Sequence, residues 1–524
     1  MSLGVFQKLN VHWLALVIFI FTSIGCSQPK YHQNSLSLSV ASEPPTLDWN
    51  LATDNVSYQI LNQLMEGLTA FDENLKPIPA IAQSWKISPD GKIYTFHLNP
   101  NYRWSDGKPV TAHDFVYSWT RLLDPKTAAE YAYYLFDVEG AQEFNRGQLK
   151  DATQLGFKAV DVHTFEVRLH KPIVFFPSLT TFMVTFPLRQ DMVEQHGSHW
   201  TDPKNIQTCG PYQLQEWWHQ YRLQLKTNPH YGGLPKPNIE KLNIYVVQDP
   251  STTLALYENG QLDIAPLPPI ALSQYRHHPE LISQIKLRGY YLGFNIRKSP
   301  VQDVRIRRAL GLALDKSPLP QILKGGEQIT SAWIPPGLLG YEKNAGIRFD
   351  PEQAKALLAE ASSKPLVPLT LVFNSDPLNK KIAEWAQAQW KKHLNLNVEL
   401  ENQEWKSYLA QLAQDPPALF RLGWGADYPD PDNFMNLFTQ YSGNNHTGWK
   451  NPQYDTLIAQ AAVEKDVQKR IQAYTQAQKL LLEDQTVIIP LFIATQNILV
   501  KKSVRNFKPL PLDFVYYKLV SKDN

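Results

Sequence analysis

The sequence predicts an α/β protein with more than one hydrophobic core, and three observations carry that expectation. Residues Leu366 to Leu400 read as strand, helix and strand in succession. Helix-start signals and strand–turn–strand patterns alternate along the rest of the chain, without an internal repeat of 20 to 50 residues. The 524 residues are 43% apolar and include 14 Trp, 24 Tyr and 23 Phe, enough to bury cores in more than one lobe.

The elements follow in order. Tyr31 to Ser39 is polar and reads as a tether, although Leu36, Leu38 and Val40 alternate as a strand that opens the folded body. In Tyr58 to Leu68, Ile60, Leu61, Leu64, Met65 and Leu68 recur at helical spacing, with Gly67 near the end. Residues 84–87 and 93–98 are strands joined through Ser88-Pro89-Asp90-Gly91, where Pro presets φ and Gly accepts a positive φ. Thr111 to Leu123 is a helix with Thr111 as N-cap and Asp114 favoured by the positive helix end. Asp303, Asp350-Pro351 and Asn451-Pro452 start further helices.

The βαβ unit is the most informative segment. Leu369 to Phe373 forms its first strand, Ile382, Trp385, Ala386 and Trp390 line one helix face, and Leu396, Val398 and Leu400 alternate in the second strand. Ligands in such sheets bind beyond the carboxyl ends of the strands, which here means residues 374–379.

Charge and motifs exclude several functions. The net charge is only +2 and Lys/Arg are not blocked together, so no nucleic-acid footprint is expected. The chain has no G-x-S-x-G, H-E-x-x-H, P-loop or G-x-G-x-x-G motif, so neither an enzyme nor a cofactor is expected. His196-Gly197-Ser198-His199 reads as a surface loop rather than a metal site. Asp427, Asp430 and Asp432 resemble a calcium loop only superficially, because Pro429 and Pro431 interrupt it.

The N-terminus reads as an export segment: Lys8 precedes an apolar run from Trp13 to Phe21, too short for a membrane span. Ser23-Ile24-Gly25-Cys26 then resembles the lipobox of bacterial lipoproteins, with Ser23 in place of the usual Leu. Cys26 is therefore expected to be acylated and to hold the protein on a membrane, in the periplasm or at the cell surface. The one other cysteine, Cys209, reads as a buried small apolar residue.

Motifs spread over nearly the whole mature chain then form a pattern. They are Glu43-Pro44-Pro45-Thr46-Leu47-Asp48, Glu66-Gly67-Leu68, Ala82-Gln83-Ser84-Trp85, Trp104-Ser105-Asp106-Gly107 and Thr208-Cys209-Gly210-Pro211-Tyr212. Further on come Tyr257-Glu258-Asn259-Gly260, Asp303 to Leu310, Glu401-Asn402-Gln403-Glu404-Trp405 and Gly423-Trp424-Gly425-Ala426-Asp427-Tyr428. In this order and spacing they resemble the family 5 extracellular solute-binding proteins of ABC importers, and within them the oligopeptide binders.

That resemblance implies a three-lobed fold of the periplasmic-binding-protein kind. Residues 1–25 would be the signal peptide and 26–39 the lipidated Cys and tether. Lobe I would comprise residues 40–65, 190–287 and 495–524, lobe II an insertion over 66–189, and lobe III residues 288–494. Hinges near 288 and 494 would close lobes I and III on the ligand. The partners implied are short peptides and the permease subunits of the importer, with the chain itself a monomer.

The resemblance also implies a site. Peptide would lie extended between Thr53, Asp54 and Asn55 on one side and Gly423, Trp424 and Gly425 on the other, held through its backbone. Asp427 would pair with the α-amino group, a strong bond in a closed, dry cleft. Trp405, Tyr131 and Trp424 would line side-chain pockets. Arg421 stands where the family places a basic residue toward peptide carboxylates, but Asn379 replaces the histidine of that pattern. Arg288 and Gly425 stand where some relatives have a disulfide, and Gly293 where some carry a Glu facing side-chain pockets. The alternatives are a different solute in the same fold (murein peptide, nickel chelate or opine), a secreted peptidase, and a surface receptor or chaperone for unfolded proteins.

Overall fold

In the computed structural model, residues 34–361 and 368–523 are described, and Cys26 and the export segment lie outside them. The α/β expectation holds. An eleven-stranded sheet dominates, with ten strands in the order Val398–Gln403, Leu369–Asn374, Leu419–Gly425, Leu281–Phe294, Ile488–Val500, Ile264–Pro266, Ser35–Val40, Lys241–Val246, Arg222–Thr227 and Tyr212–Trp218. Gln328–Ile329 adds to the Ile488–Val500 strand off this path. A separate four-stranded antiparallel sheet is built from Ala82–Ile87, Ile93–Leu98, Thr164–Arg168 and Phe157–Asp161.

Two long neighbours, Leu281–Phe294 and Ile488–Val500, belong to both halves of the large sheet. Their antiparallel ladder is regular up to Ile285 opposite Thr495 and resumes at Gly289 opposite Ile493. Lys286, Leu287 and Arg288 thus face Ala494 alone, a bulge that bends the pair where the two halves meet.

The βαβ unit forms as its periodicity requires. Leu369–Asn374 and Val398–Gln403 pair in parallel around the helix Pro377–Leu394. Asp376 caps that helix by accepting from the Leu378 and Asn379 amides, and left-handed Asn395 ends it, which delays the second strand to Val398. Trp390 is fully buried and donates to the Leu310 carbonyl. The helices starting after Asp303, Asp350 and Asn451 begin as their caps predict. The Pro-Asp-Gly hairpin is present with Gly91 at φ +76°, and the Thr111 helix runs Ala112–Leu123 with a capping box.

Two boundaries differ. The segment expected as a tether through Ser39 is a strand from Ser35, paired in parallel with Lys241–Val246 on one side and, at Leu38, with Ile264 on the other. Ser35, Ser37 and Ser39 are buried because this central strand is covered on both faces, so polarity there does not mean exposure. The helix read over Tyr58 to Leu68 spans Asn55–Leu64, since Asp54 supplies a cap one turn earlier. Gly67 lies beyond its end, where an added Cβ would stand 2.2 Å from the Thr180 carbonyl oxygen.

Candidate functional site

A cleft of about 690 Å³ opens beside the bulge in the central ladder. Every site residue expected from the sequence lines it: Thr53, Asp54, Asn55, Tyr131, Asn379, Trp405, Arg421, Gly423, Trp424, Gly425 and Asp427. The site therefore draws on five separated stretches of chain, brought together by the large sheet and the segments packed beside it.

Along one wall runs the strand Leu419–Gly425. It pairs over its whole length with Leu281–Phe294, but on its other edge it meets Leu369–Asn374 only at Leu419 and Phe420. The edge of Gly423, Trp424 and Gly425 therefore has no strand partner among the described residues, and is open to another extended chain. Glycine is required here by close approach, since a Cβ on Gly423 would meet the Tyr290 ring at 2.4 Å. Trp424 is fixed by its indole N–H, which donates to Asn433 Oδ1 at 2.8 Å.

Thr53, Asp54 and Asn55 lead into the helix Asn55–Leu64. The Asp54 carboxylate is consumed locally, accepting from the Val56 and Ser57 amides at 3.0 Å. It fixes where the helix begins, while Asp54 itself lines the cleft.

Asp427 is a cleft acid without a compensating cation among the described residues. Its Oδ1 accepts a hydrogen bond from the Tyr131 hydroxyl at 3.3 Å, and no Lys or Arg lies within ion-pair distance among the described residues. Burial pushes its carboxyl up to about 6, only partly offset by hydrogen bonds with Tyr131 and Asn433 and by the Arg288 charge. Tyr131 packs against Tyr133 and Phe182, so the carboxylate sits beside an aromatic wall. Asp430 and Asp432, by contrast, are taken by Arg470 and by the Tyr428 hydroxyl, and no metal-holding cluster occurs among the described residues.

Six residues before Asp427, Arg421 is the complementary case. Its guanidinium is buried over the Tyr290 ring at 4.4 Å and its Nε has no hydrogen-bond partner. Desolvation lowers its proton affinity, only partly offset by Tyr290, Tyr408 and the Asp376 charge, and no acid lies within ion-pair distance of it among the described residues. Asn379 sits in the first turn of the 377–394 helix and donates to Asn374 Oδ1 at 3.0 Å. Both Asn374 and Asn379 line the cleft at the carboxyl end of the 369–374 strand, where the topology places a ligand. Trp405 opens the helix Trp405–Gln414 and is 49% exposed, so it is a rim residue rather than core.

Sequence reasoning missed a charged cluster. Lys286 Nζ lies 2.5 Å from Asp513 Oδ1, and Arg288 Nη2 lies 3.4 Å from Asp513 Oδ2, all within the cleft wall. Burial, then the Arg288 charge, pulls Lys286 down to about 8. The alternation Lys286, Leu287, Arg288 could have placed both cations on one strand face, but Asp513 arrives from more than 220 residues away and left no local signal. Arg288 stands opposite Gly425 in the ladder, so the two positions are cross-strand neighbours. The reading of Gly293 as a pocket position does not hold. It lies outside the cleft wall, and its Cβ position is filled by the Phe420 ring at 2.4 Å. Cys209 is fully buried as a small apolar residue, its thiol held protonated by desolvation.

The model of the bacterial extracellular solute-binding proteins, family 5, matches residues 76–446. The chain belongs to that family. As a family 5 protein it is 37% identical to the periplasmic oligopeptide-binding protein OppA of Salmonella typhimurium, over 91% of this chain and 90% of that one. The Escherichia coli murein tripeptide-binding protein MppA superposes with a TM-score of 0.80 at 32% identity, covering 94% of this chain and 99% of that one. Haemophilus influenzae OppA in complex with RPPGFSPFR gives 0.79 at 32% identity, with coverage of 94% and 99%. The family 5 fold expected from the motifs is thus the fold observed.

The raised Asp427 carboxyl makes a stability prediction. Its folded-state value of about 6 exceeds the ordinary 3.8, so ionising it costs stability, a cost that develops as pH rises through this interval and is constant above it. Asp427→Asn is expected to raise unfolding stability by about 2 to 3 kcal/mol at pH 8, with the difference vanishing near pH 3. Urea denaturation at the two pH values measures it, and equal stability at pH 8 would refute the desolvated carboxylate.

Proposed function

We propose that this chain is the substrate-binding protein of an ABC importer and captures short peptides, in extended form, outside the cytoplasmic membrane. The observation that carries the reading is the unpartnered edge at Gly423 to Gly425, bordering the cleft opposite the Asp54-capped segment and ending beside an uncompensated carboxylate. A peptide laid on that edge adds a strand through its backbone, which accounts for binding with little side-chain demand. Its α-ammonium pairs with Asp427, restoring the charge partner that burial makes costly to lack. Arg421 takes a carboxylate toward the other end without the family's histidine, since Asn379 spends an amide hydrogen on Asn374.

Lobes I and III close on the peptide about residues 288 and 494, a reading supported by the break in the central ladder at 286–288 opposite Ala494. The export segment and Gly25-Cys26 favour a lipoprotein held on the membrane through acylated Cys26, with delivery to the permease subunits from there. Family membership favours a binding protein over a peptidase. A murein peptide is the second reading, favoured by the likeness to MppA. Mass spectrometry of ligand that co-purifies with the chain separates the two.

The amine pairing is tested by a double-mutant cycle. Asp427→Ala is expected to weaken a free-amino peptide by about thirtyfold or more, because truncating one partner of a buried charge pair costs about 2 to 5 kcal/mol. N-acetylation of the peptide should do comparable damage to the wild type, and the two losses should not add in calorimetry. Losses within about twofold for both changes would remove Asp427 from the site.

Saturating peptide should also reduce the radius of gyration in small-angle scattering, and an unchanged profile would count against closure. Separately, Cys26→Ser is expected to move the protein from the membrane to the soluble fraction. A wild-type protein that is already soluble and starts at another residue would end the anchor reading.

A further inference from the structure

Outside the peptide cleft, a second cavity of about 270 Å³ lies against the short strand Gln328–Ile329. Its wall carries three cations, Lys316, Lys343 and Arg348, and no carboxylate. Among the described residues none of the three has an acid within ion-pair distance. Asp315 and Glu483 accept from the Ser317 and Gly346 amides at 3.0 Å, and Glu342 and Asp350 of the same region form no ion pair with these cations among the described residues.

Lys316 is the built part of the site. Its ammonium donates to the Thr330 carbonyl at 3.1 Å and to Ser331 Oγ at 2.8 Å, both neutral oxygens, which uses two of its three N–H groups. Burial alone pulls this ammonium down to about 7, the sign of a cation lacking its counter-charge. Lys343 and Arg348 come from the loop 341–349 and stand at the same cavity, so one anion could be met from two sides. Ile347 and Phe349 add apolar wall, and Phe349 is 41% exposed.

We propose that this cavity binds a small organic anion, headed by a carboxylate or a phosphate, at a site separate from the peptide cleft. Lys316 is partly buried while Lys343 and Arg348 are exposed at the cavity rim, a cationic lining that suits an anion rather than a metal ion, and about 270 Å³ suits a small ligand. The head group takes the third Lys316 N–H together with Lys343 and Arg348, and the Ile347 and Phe349 wall covers a short apolar body. The site shares its strand with the peptide cleft: Glu327 lines the cleft, and Gln328 and Ile329, which pair with Ile493 and Phe492, line the cavity.

Calorimetry on the full-length chain with sodium benzoate and with inorganic phosphate, each against sodium chloride at matched ionic strength, tests this. Saturable one-site binding of benzoate or phosphate beyond the chloride control is expected, and the tighter of the two identifies the head group. Lys343→Ala/Arg348→Ala should weaken it at least about tenfold, while the anion-free melting temperature stays that of the wild type. Binding no stronger than chloride, or binding that survives the double substitution, would overturn the proposal. Lys316→Met provides the second variant, and it too should lose the anion while the peptide cleft, which it does not line, keeps its affinity.

Discussion

The ladder between Leu281–Phe294 and Ile488–Val500 is the constraint on which the molecule depends. These two strands carry the sheet from one half to the other, and one of them pairs directly with the Leu419–Gly425 wall of the cleft. A continuous ladder of this length would be a stiff ribbon. The bulge at Lys286 to Arg288 opposite Ala494 gives up a few backbone pairings at the one place where the two halves meet. Asp513, reaching in from the C-terminal segment, ties the two bulge cations, and the Leu287 amide between them donates to the Pro511 carbonyl of the same segment.

The cleft is electrostatically unfinished by design of its surroundings. Arg421 is buried and Asp427 partly buried, neither has an ionic partner among the described residues, and desolvation moves the proton affinity of both. Arg421 and Asp427 form no ion pair with each other among the described residues. Each such group costs stability in the empty protein, and each would gain from an opposite charge brought in by a solute. The open edge of Gly423 to Gly425 is the backbone counterpart: its hydrogen-bonding groups have no strand to meet among the described residues.

Not every polar residue at the cleft acts through its charge. Asp54 and Asp376 are N-caps, and their carboxylates are spent on helix amides. They shape the wall by fixing where the helices begin. A reading by residue type alone would have credited the cleft with more free acid than it has.

The sequence by itself determined the elements whose causes are local. Helix starts at Asp303, Asp350 and Asn451, the hairpin at Pro89-Asp90-Gly91 and the βαβ unit all follow from capping, turn chemistry and hydrophobic period, each acting within a few residues. Family motifs in order named the cleft residues, because a motif keeps its place when the chain between motifs does not. The tertiary structure decided what depends on distant neighbours. It made Ser35 to Ser39 a buried central strand, turned Gly293 toward Phe420, and set Asp513 between Lys286 and Arg288. Those outcomes rest on which strand lies beside which, a choice made by long-range pairing and burial, and the one-dimensional pattern carries no record of the partner.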